Sequence, residues 1–516
     1  MSTAGGTLMQ DALRLHQDKQ FELAEQAYQA VLKQDPLHPD AIQLLGILHG
    51  EYGDWLKALE YFRQAVPLFP NDPKALLACG RALLNLDKPD EAALILQQAV
   101  RQFPEEPSAR FNLALALDRL SLPQAAILEL DLVIRQLPYH PEVLLARAKA
   151  KQHAGLEAGA LADFGLVLQN DPANAVALNG HSIVLAGLNR LDDAKAGFLK
   201  LLSLNPSDAD ALNNLGLVMA KQGLAGDAIS LYQRALTIDP ERADVHFNLG
   251  LSLAALNQPE AALSAFSRTI SLNQSFPDAL YNQGNLLLSL WRHEEAVAAF
   301  DRLMDVAPDF PYAPGKQFYA RQFCCDWTKY DEQCHGIRLG VEQGQAVITP
   351  FAHLTVARTP EEERRCADLY SVRFPPKPAL RPTGLSEPHS PRIRIAYLSA
   401  DFHEHATSFL MAGLFERHDR QRFEIMAVSF GPMGTGPMRQ RLEAAFEHFL
   451  VVNDLDDESV ARCLAEWGVD IAVDLKGYTT NARPGILAWR PAPVQVNYMG
   501  FAATTGLPFL DYILAD

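Results

Sequence analysis

The 516-residue sequence is poor in cysteine, in positive charge and in long apolar runs. Its six cysteines (Cys79, Cys324, Cys325, Cys334, Cys366 and Cys463) form no C-x-x-C pair and keep no regular spacing. That argues against a disulfide framework or a zinc site and fits a reducing compartment. No stretch approaches the ~18 uninterrupted apolar residues of a spanning helix, and Met1 to Gln20 holds no cationic segment followed by an apolar core. Against 62 Asp and Glu stand 45 Lys and Arg, a formal charge of −17. Such a field repels phosphate backbones and anionic lipid, so neither nucleic acid nor a membrane surface is expected as a partner. Also missing are a G-x-G-x-x-G after the first strand of the last segment and any Walker loop, which removes the NAD and P-loop fingerprints. The expectation is a cytoplasmic protein of two to four domains, at ~100 to 200 residues each.

What is present is a register. Prolines at Pro36, Pro70, Pro104, Pro138, Pro172, Pro206, Pro240 and Pro308 fall on one 34-residue lattice, with Gln274 the slot that misses. The lattice also holds Ala24, Ala58, Ala92, Ala126, Ala160, Ala194, Ala228, Ala262 and Ala296, each followed four residues later by a large apolar side chain such as Tyr28, Phe62, Phe164 or Phe300. A small residue recurs twelve before each alanine, from Ala12 and Gly46 to Gly284. The small residue and the alanine suit a close crossing of two antiparallel helices. The large residue, one turn on, is expected to fill the space against the next repeat, and the proline to end the second helix. This is the pattern of nine tetratricopeptide repeats over residues 5–310, an α-solenoid whose concave groove suits protein or peptide partners; such repeats also allow a homo-oligomer. Asn112, Asn214, Asn248 and Asn282 share one repeat position, with Asn179 one residue out of register. They read either as an amide ladder for a bound peptide backbone or as solvated polar residues on an exposed helix.

Beyond Pro308 the lattice fails. Tyr312 to Tyr370 reads as irregular helix containing the run Cys325 to Tyr330 (C-D-W-T-K-Y), and the prolines from Pro375 to Pro391 read as a linker, so 311–391 is taken as a connector. From Arg392 to Asp516 short apolar runs alternate with helical segments: Ile393 to Ser399, Phe423 to Phe430, Phe449 to Val452, Val469 to Leu475, Val494 to Met499 and Tyr512 to Leu514. Helices are expected over Ser408–Glu416, Gly436–Phe446, Glu458–Trp467 and Ala482–Trp489. This is the signature of a mostly parallel, doubly wound α/β sheet, which binds ligands outside the carboxyl ends of its strands.

In the first such loop Thr407 or Ser408 is a candidate N-cap, which sets His405 ahead of a helix N-terminus, where a neutral imidazole is favoured and backbone N–H groups can meet a phosphate. Surface-loop histidines are the alternative reading of His403 and His405. In the loop after Leu475, Gly477, beside Tyr478 and Thr479, permits either close approach to a ligand or a plain tight turn. Asp454-Leu455-Asp456 resembles a sugar-transferase D-x-D but precedes a helix, so capping explains it more simply. No metal site is expected.

Together the repeats, the C-D-W-T-x-Y run, S-A-D-F followed by H-A-T-S-F-L-M, L-K-G-Y-T, R-P-A-P-V-Q-V-N-Y-M-G and D-Y-I-L-A-D resemble the O-GlcNAc transferase family, with its SPINDLY relatives and bacterial homologues. The resemblance implies a metal-independent, inverting, two-lobed (GT-B type) glycosyltransferase. It would move N-acetylglucosamine from UDP-N-acetylglucosamine to Ser or Thr of proteins recruited by the repeats. His405 matches the family's active-site histidine, and Arg490, Pro491, Ala492, Pro493, Gln495 and Gly500 match the segment shaping the acceptor side. Residues 392–516 then correspond to the amino-terminal, Rossmann-like lobe.

The sequence departs from the animal members at Phe409, where they carry a second histidine, and at His403 and Glu404, where they carry Gly-Asn. In the family a second lobe, absent from this chain, follows the D-Y-I-L-A-D strand and holds the nucleotide, so weak UDP binding by the 516-residue chain is expected. Two other readings stand beside this one: a non-catalytic repeat scaffold, and an O-fucosyltransferase using GDP-fucose.

Overall fold

A computed structural model describes residues 4–381, 391–432 and 434–515, in two compact units, residues 4–262 and 263–515. Among the described residues, helices alternate in pairs along the repeats, from Ala4–Gln17 with Phe21–Gln34 to Pro277–Ser289 with His293–Val306. The lattice alanines are all fully buried. Phe62, Leu96, Tyr232 and Phe300 press on the small residue of their own repeat. Their side chains come within 2.5, 2.5, 2.5 and 2.6 Å of where a Cβ would stand on Gly46, Gly80, Gly216 and Gly284. They also share cores with the following repeat, as expected, Phe62 with Cys79 and Leu83 and Tyr232 with Val245. Phe164, clustered with Ala148 of its own repeat, also comes within 2.3 Å of where a Cβ would stand on Gly180 of the next.

A second period, unread in the sequence, closes the first helix of each pair. Lys19, Gly53, Asp87, Ser121, Gly155, Asn189, Gly223, Asn257 and Trp291 all have φ between +55° and +82°. The next residue's N–H reaches back five residues, as Asp54 to His49 (2.9 Å), Lys88 to Leu83 (2.9 Å) and Leu122 to Leu117 (3.0 Å) do. That is the six-to-one bond of a Schellman cap.

The segment after the repeats is regular helix rather than the irregular one expected: Ala313–Phe323, Tyr330–Glu342, Pro350–His353 and Pro360–Ser371. The expected linker is partly fastened down. Lys377, Leu380 and Arg381 donate backbone N–H bonds to Ala488, Trp489 and Arg490, and buried Arg381 reaches the Val469 carbonyl at 2.5 Å. Pro382 and Pro388, which were also assigned to the linker, lie outside the described residues.

Among the described residues the α/β part has six strands: β1 Ile393–Ser399, β2 Phe423–Ser429, β3 His448–Val451, β4 Ile471–Asp474, β5 Val494–Tyr498 and β6 Tyr512–Leu514. They are parallel throughout and lie in the order β3-β2-β1-β4-β5-β6. The helices between them are Ala406–Glu416, Pro437–Ala445, Asp457–Glu466 and a single turn at Gly485–Ala488, shorter than expected because Pro484 starts it and the chain turns back at Arg490 (φ +46°). Strand order reverses between β1 and β4, so the crevice that such sheets use for ligands opens where the loops after these two strands meet. No helix among the described residues is long and apolar enough to cross a membrane.

Candidate active site

The loop after β1, Ala400 to His405, is held from several sides. Asp401 donates its backbone N–H to the Ser399 hydroxyl (3.0 Å), and its carbonyl accepts from the Ser408 hydroxyl (2.5 Å). Arg439, stacked over Phe449 at 4.2 Å, donates to the Phe402 carbonyl (3.2 Å). The Glu404 carboxylate accepts from the Met438 N–H (3.1 Å) and so caps the helix Pro437–Ala445, whose own N-cap, Gly436, has no side chain to offer. A Cβ on Gly436 would collide with that carboxylate. At Glu404, one of the three positions where the sequence departs from the animal pattern, the residue is therefore a cap that ties the first strand's loop to the second's.

His405 is itself the N-cap of Ala406–Glu416, not Thr407 or Ser408 as expected. Its Nδ1 accepts the Thr407 N–H at 3.2 Å, while Ser408 turns inward to Asp401. With Nδ1 an acceptor, a neutral ring carries its hydrogen on Nε2. The ring is 43% exposed at the mouth of the crevice.

Across the switch point Lys476 stands in the other loop, two residues beyond β4. Its ammonium meets Asp401 Oδ2 at 2.7 Å, with the two side chains only 5% and 11% exposed. His405 Nδ1 lies 3.6 Å from the same oxygen. Asp474, the last residue of β4, is buried, and its two oxygens accept from Lys476 N (2.9 Å), Gly477 N (2.9 Å) and Asn497 Nδ2 (3.2 Å). Burial raises its pKa, against the pull of those donors. The constellation that the fold assembles is thus Asp401, His405, Asp474, Lys476 and Asn497. Sequence reading named only the histidine; the available signal was a charged residue at the end of each of two apolar runs, S-A-D and V-D-L-K.

The other anticipated residues divide. Gly477 has φ +56°, and a Cβ there would strike the Phe501 side chain, so it serves the turn and that packing. The Tyr478 hydroxyl donates to the Thr505 carbonyl (2.6 Å), and that of Thr479 to the Lys476 carbonyl (2.9 Å). Pro491, Pro493 and Gln495 are buried, and Gln495 Nε2 is spent on the Leu487 (3.0 Å) and Phe509 (2.7 Å) carbonyls. The Gln495 Oε1 has no hydrogen-bond partner among the described residues; its amide nitrogen stitches β5 to the chain before β6, as Arg490 does through Asp511 (2.7 Å). At Gly500 a Cβ would fall on the Leu475 carbonyl, so this glycine lets the β5 loop lie on the Lys476 loop.

In the D-x-D run the Asp456 carboxylate caps Asp457–Glu466 by accepting from Ser459 N (2.7 Å), and its bonds to Ser459 lower its pKa. Of the shared-position asparagines, Asn112 and Asn282 bond carbonyls in their own helices (Ser108 and Asp278, both 2.8 Å). Asn214 donates to Asn179 (3.3 Å) and Asn248 to Asn213 (3.0 Å), each 35 residues back, which accounts for the residue that was out of register.

A tetratricopeptide repeat model matches residues 12–73, 77–141, 180–243 and 247–314, and a model of glycosyl transferase family 41 matches residues 365–516. The chain is a tetratricopeptide-repeat protein with a family 41 glycosyl transferase domain. Curated relatives of this tetratricopeptide-repeat protein include the probable UDP-N-acetylglucosamine-peptide N-acetylglucosaminyltransferase SEC of Arabidopsis thaliana, 36% identical over 33% of this chain and 17% of the relative. The UDP-N-acetylglucosamine-peptide N-acetylglucosaminyltransferase of Caenorhabditis elegans is 30% identical over 38% and 18%. The probable enzyme named SPINDLY from Arabidopsis thaliana is 33% identical over 26% and 15%. The chain thus spans less than a fifth of the length of these relatives.

Proposed function

We propose that the protein transfers N-acetylglucosamine from UDP-N-acetylglucosamine to serine or threonine hydroxyls of proteins recruited by its repeats, in the cytoplasm and without a metal ion. The observation that carries this is a half-exposed histidine at a helix N-terminus, in the switch-point crevice of a family 41 domain. The names of the matched relatives, SPINDLY included, support N-acetylglucosamine as the sugar.

Glycosyl transfer by inversion needs a placed acceptor oxygen and a neutralised diphosphate leaving group. With Nδ1 engaged by Thr407 N–H, His405 offers Nε2–H outward, so it orients an acceptor or phosphate oxygen by donating to it rather than abstracting its proton. The positive end of the 11-residue helix Ala406–Glu416 faces the same place and favours an anion there. Asp456, occupied as a helix cap, is not required for this step.

Incubating the product of the complete coding sequence with labelled UDP-N-acetylglucosamine and, separately, labelled GDP-fucose tests the reading. Label should pass to protein Ser or Thr from the first donor, unaffected by EDTA, and fall about 100-fold in His405→Ala, the scale of losing one preorganised donor. Transfer of fucose alone, or of neither sugar, removes it.

A further inference from the structure

Three of the helices after the repeats close around a small cavity of about 210 Å³. The helix Tyr330–Glu342 lends it Arg338 and Glu342, the turn Pro350–His353 lends His353, and Pro360–Ser371 lends Glu361, Glu362 and Arg365. His353 is 1% exposed, and its Nε2 has no hydrogen-bond partner among the described residues. A buried polar atom without a partner costs free energy that a ligand with a matching atom would recover. Burial lowers the pKa of the ring, with Glu362 pulling it up and Arg338 pushing it down, so the uncharged imidazole can carry its hydrogen on Nε2.

Two arginines line the same cavity without being neutralised. Arg338 Nη1 donates to the Val356 carbonyl and Arg365 Nη1 to the Glu342 carbonyl, both at 3.5 Å; among the described residues neither guanidinium has a paired carboxylate. Nearby cations behave otherwise, Arg364 pairing with Asp368 (2.8 Å) and Arg321 with Asp301 (2.9 Å) and Asp326 (2.5 Å). A further positive pole is the start of the helix Pro360–Ser371, which lies at the cavity. The acids have other places. Glu362 accepts from the Arg358 N–H (2.8 Å) while the Thr359 hydroxyl accepts from the Glu362 N–H (3.3 Å), a reciprocal helix cap, and Glu342 and Glu361 are exposed at the rim. Among the described residues no three His, Cys, Asp or Glu side chains converge as metal ligands, so the cavity is not a cation site.

We infer that this cavity binds inorganic hydrogen phosphate, with Arg338 and Arg365 gripping its oxygens, His353 Nε2–H donating from the floor and Glu361 accepting the P–OH hydrogen at the rim. The planar guanidinium fork matches phosphate oxygens. The glutamate then selects among anions. Hydrogen phosphate has a hydrogen to give it, whereas sulfate brings only oxygens, and a phosphomonoester, with its second pKa near ~6, is mostly a bare dianion at neutral pH. Bound phosphate would tie the helix Tyr330–Glu342 to the helix Pro360–Ser371 through one arginine from each.

The full chain, in phosphate-free buffer at neutral pH, is titrated by calorimetry with inorganic phosphate, with sulfate and with a blocked phosphoserine peptide. Phosphate should bind, and the other two about tenfold more weakly, the scale of one hydrogen bond to a charged group. Arg338→Gln/Arg365→Gln should abolish phosphate binding. Arg365→Gln alone, at an exposed position, should weaken it about tenfold with an unchanged circular dichroism melt in phosphate-free buffer. Glu361→Gln should bring sulfate level with phosphate. In the native chain phosphate should also move the nitrogen-15 resonances of the His353 ring, a readout that needs no substitution in the core.

No phosphate binding, binding that survives the double substitution, or a His353 ring that phosphate leaves unmoved overturns the inference. So does sulfate or the phosphoserine peptide binding the native chain as tightly as phosphate. None of these results bears on sugar transfer, because His405 and the crevice around it share no residue with this cavity.

Discussion

Asp401 Oδ2 faces Lys476 at 2.7 Å and His405 at 3.6 Å, and the shorter contact determines which proton His405 keeps. While Lys476 holds the carboxylate, the imidazole Nδ1 is free to cap its helix and Nε2 bears the hydrogen. In Lys476→Met the buried carboxylate loses its cation and turns to the ring, drawing the hydrogen to Nδ1. Nitrogen-15 shifts of the His405 ring should therefore report the Nε2–H tautomer in the native protein and Nδ1–H in the variant, with ~3 kcal/mol lost in urea unfolding for a broken buried pair. An unchanged tautomer would refute this role for Lys476. Gly500 acts on the same loop from behind. Gly500→Ala places a methyl against the Leu475 carbonyl and should cost ~1 to 3 kcal/mol as an overpacked contact. It should also shift the Lys476 amide resonance, and an unshifted amide would show that the β5 loop does not set the position of Lys476.

Each repeat element ends its first helix on a left-handed residue, and the sequence hides this because the nine positions hold six residue types, glycine included: Lys, Gly, Asp, Ser, Asn and Trp. The proline and alanine lattices were legible since their sterics admit few residues; the cap was not, since its energy is in the backbone. An L residue there costs roughly 1 to 2 kcal/mol. Ser121→Gly should thus raise the urea midpoint by the equivalent of ~1 kcal/mol, and Gly53→Ala, at φ +82°, should lower it by a similar amount. A null result in both would mean that the six-to-one bonds do not limit repeat stability. The candidate site was half legible for a related reason. His405 sits in a local motif, whereas Asp401 and Lys476 are 75 residues apart and meet only through the strand order that places β1 beside β4. For Gln495 and the prolines the motif gives residue identity without side-chain direction; the β5 register turns Gln495 inward, where its Oε1 has no partner among the described residues.

At the scale of the whole molecule, contacts in the first unit join each helix chiefly to its neighbours in sequence, the condition under which stability becomes a sum of repeat and nearest-neighbour terms. Strands of the second unit instead pair across long separations, Leu398 with Asp474 for example, so they should open together. Phe164 separates these behaviours experimentally. It is fully buried, against Gly180 of the next repeat, and Phe164→Ala should cost ~3 to 5 kcal/mol for the lost side chain and its cavity. In a nearest-neighbour array that loss is confined. Hydrogen exchange should accelerate most in peptides spanning 141–187 and progressively less toward residues 40 and 250, with β1 and β4 keeping their protection. Uniform acceleration across residues 4–262 would instead make the repeats one cooperative block. In that case a partner gripping any repeat would steady all the others, and local loosening of the groove could not be used to admit a protein chain.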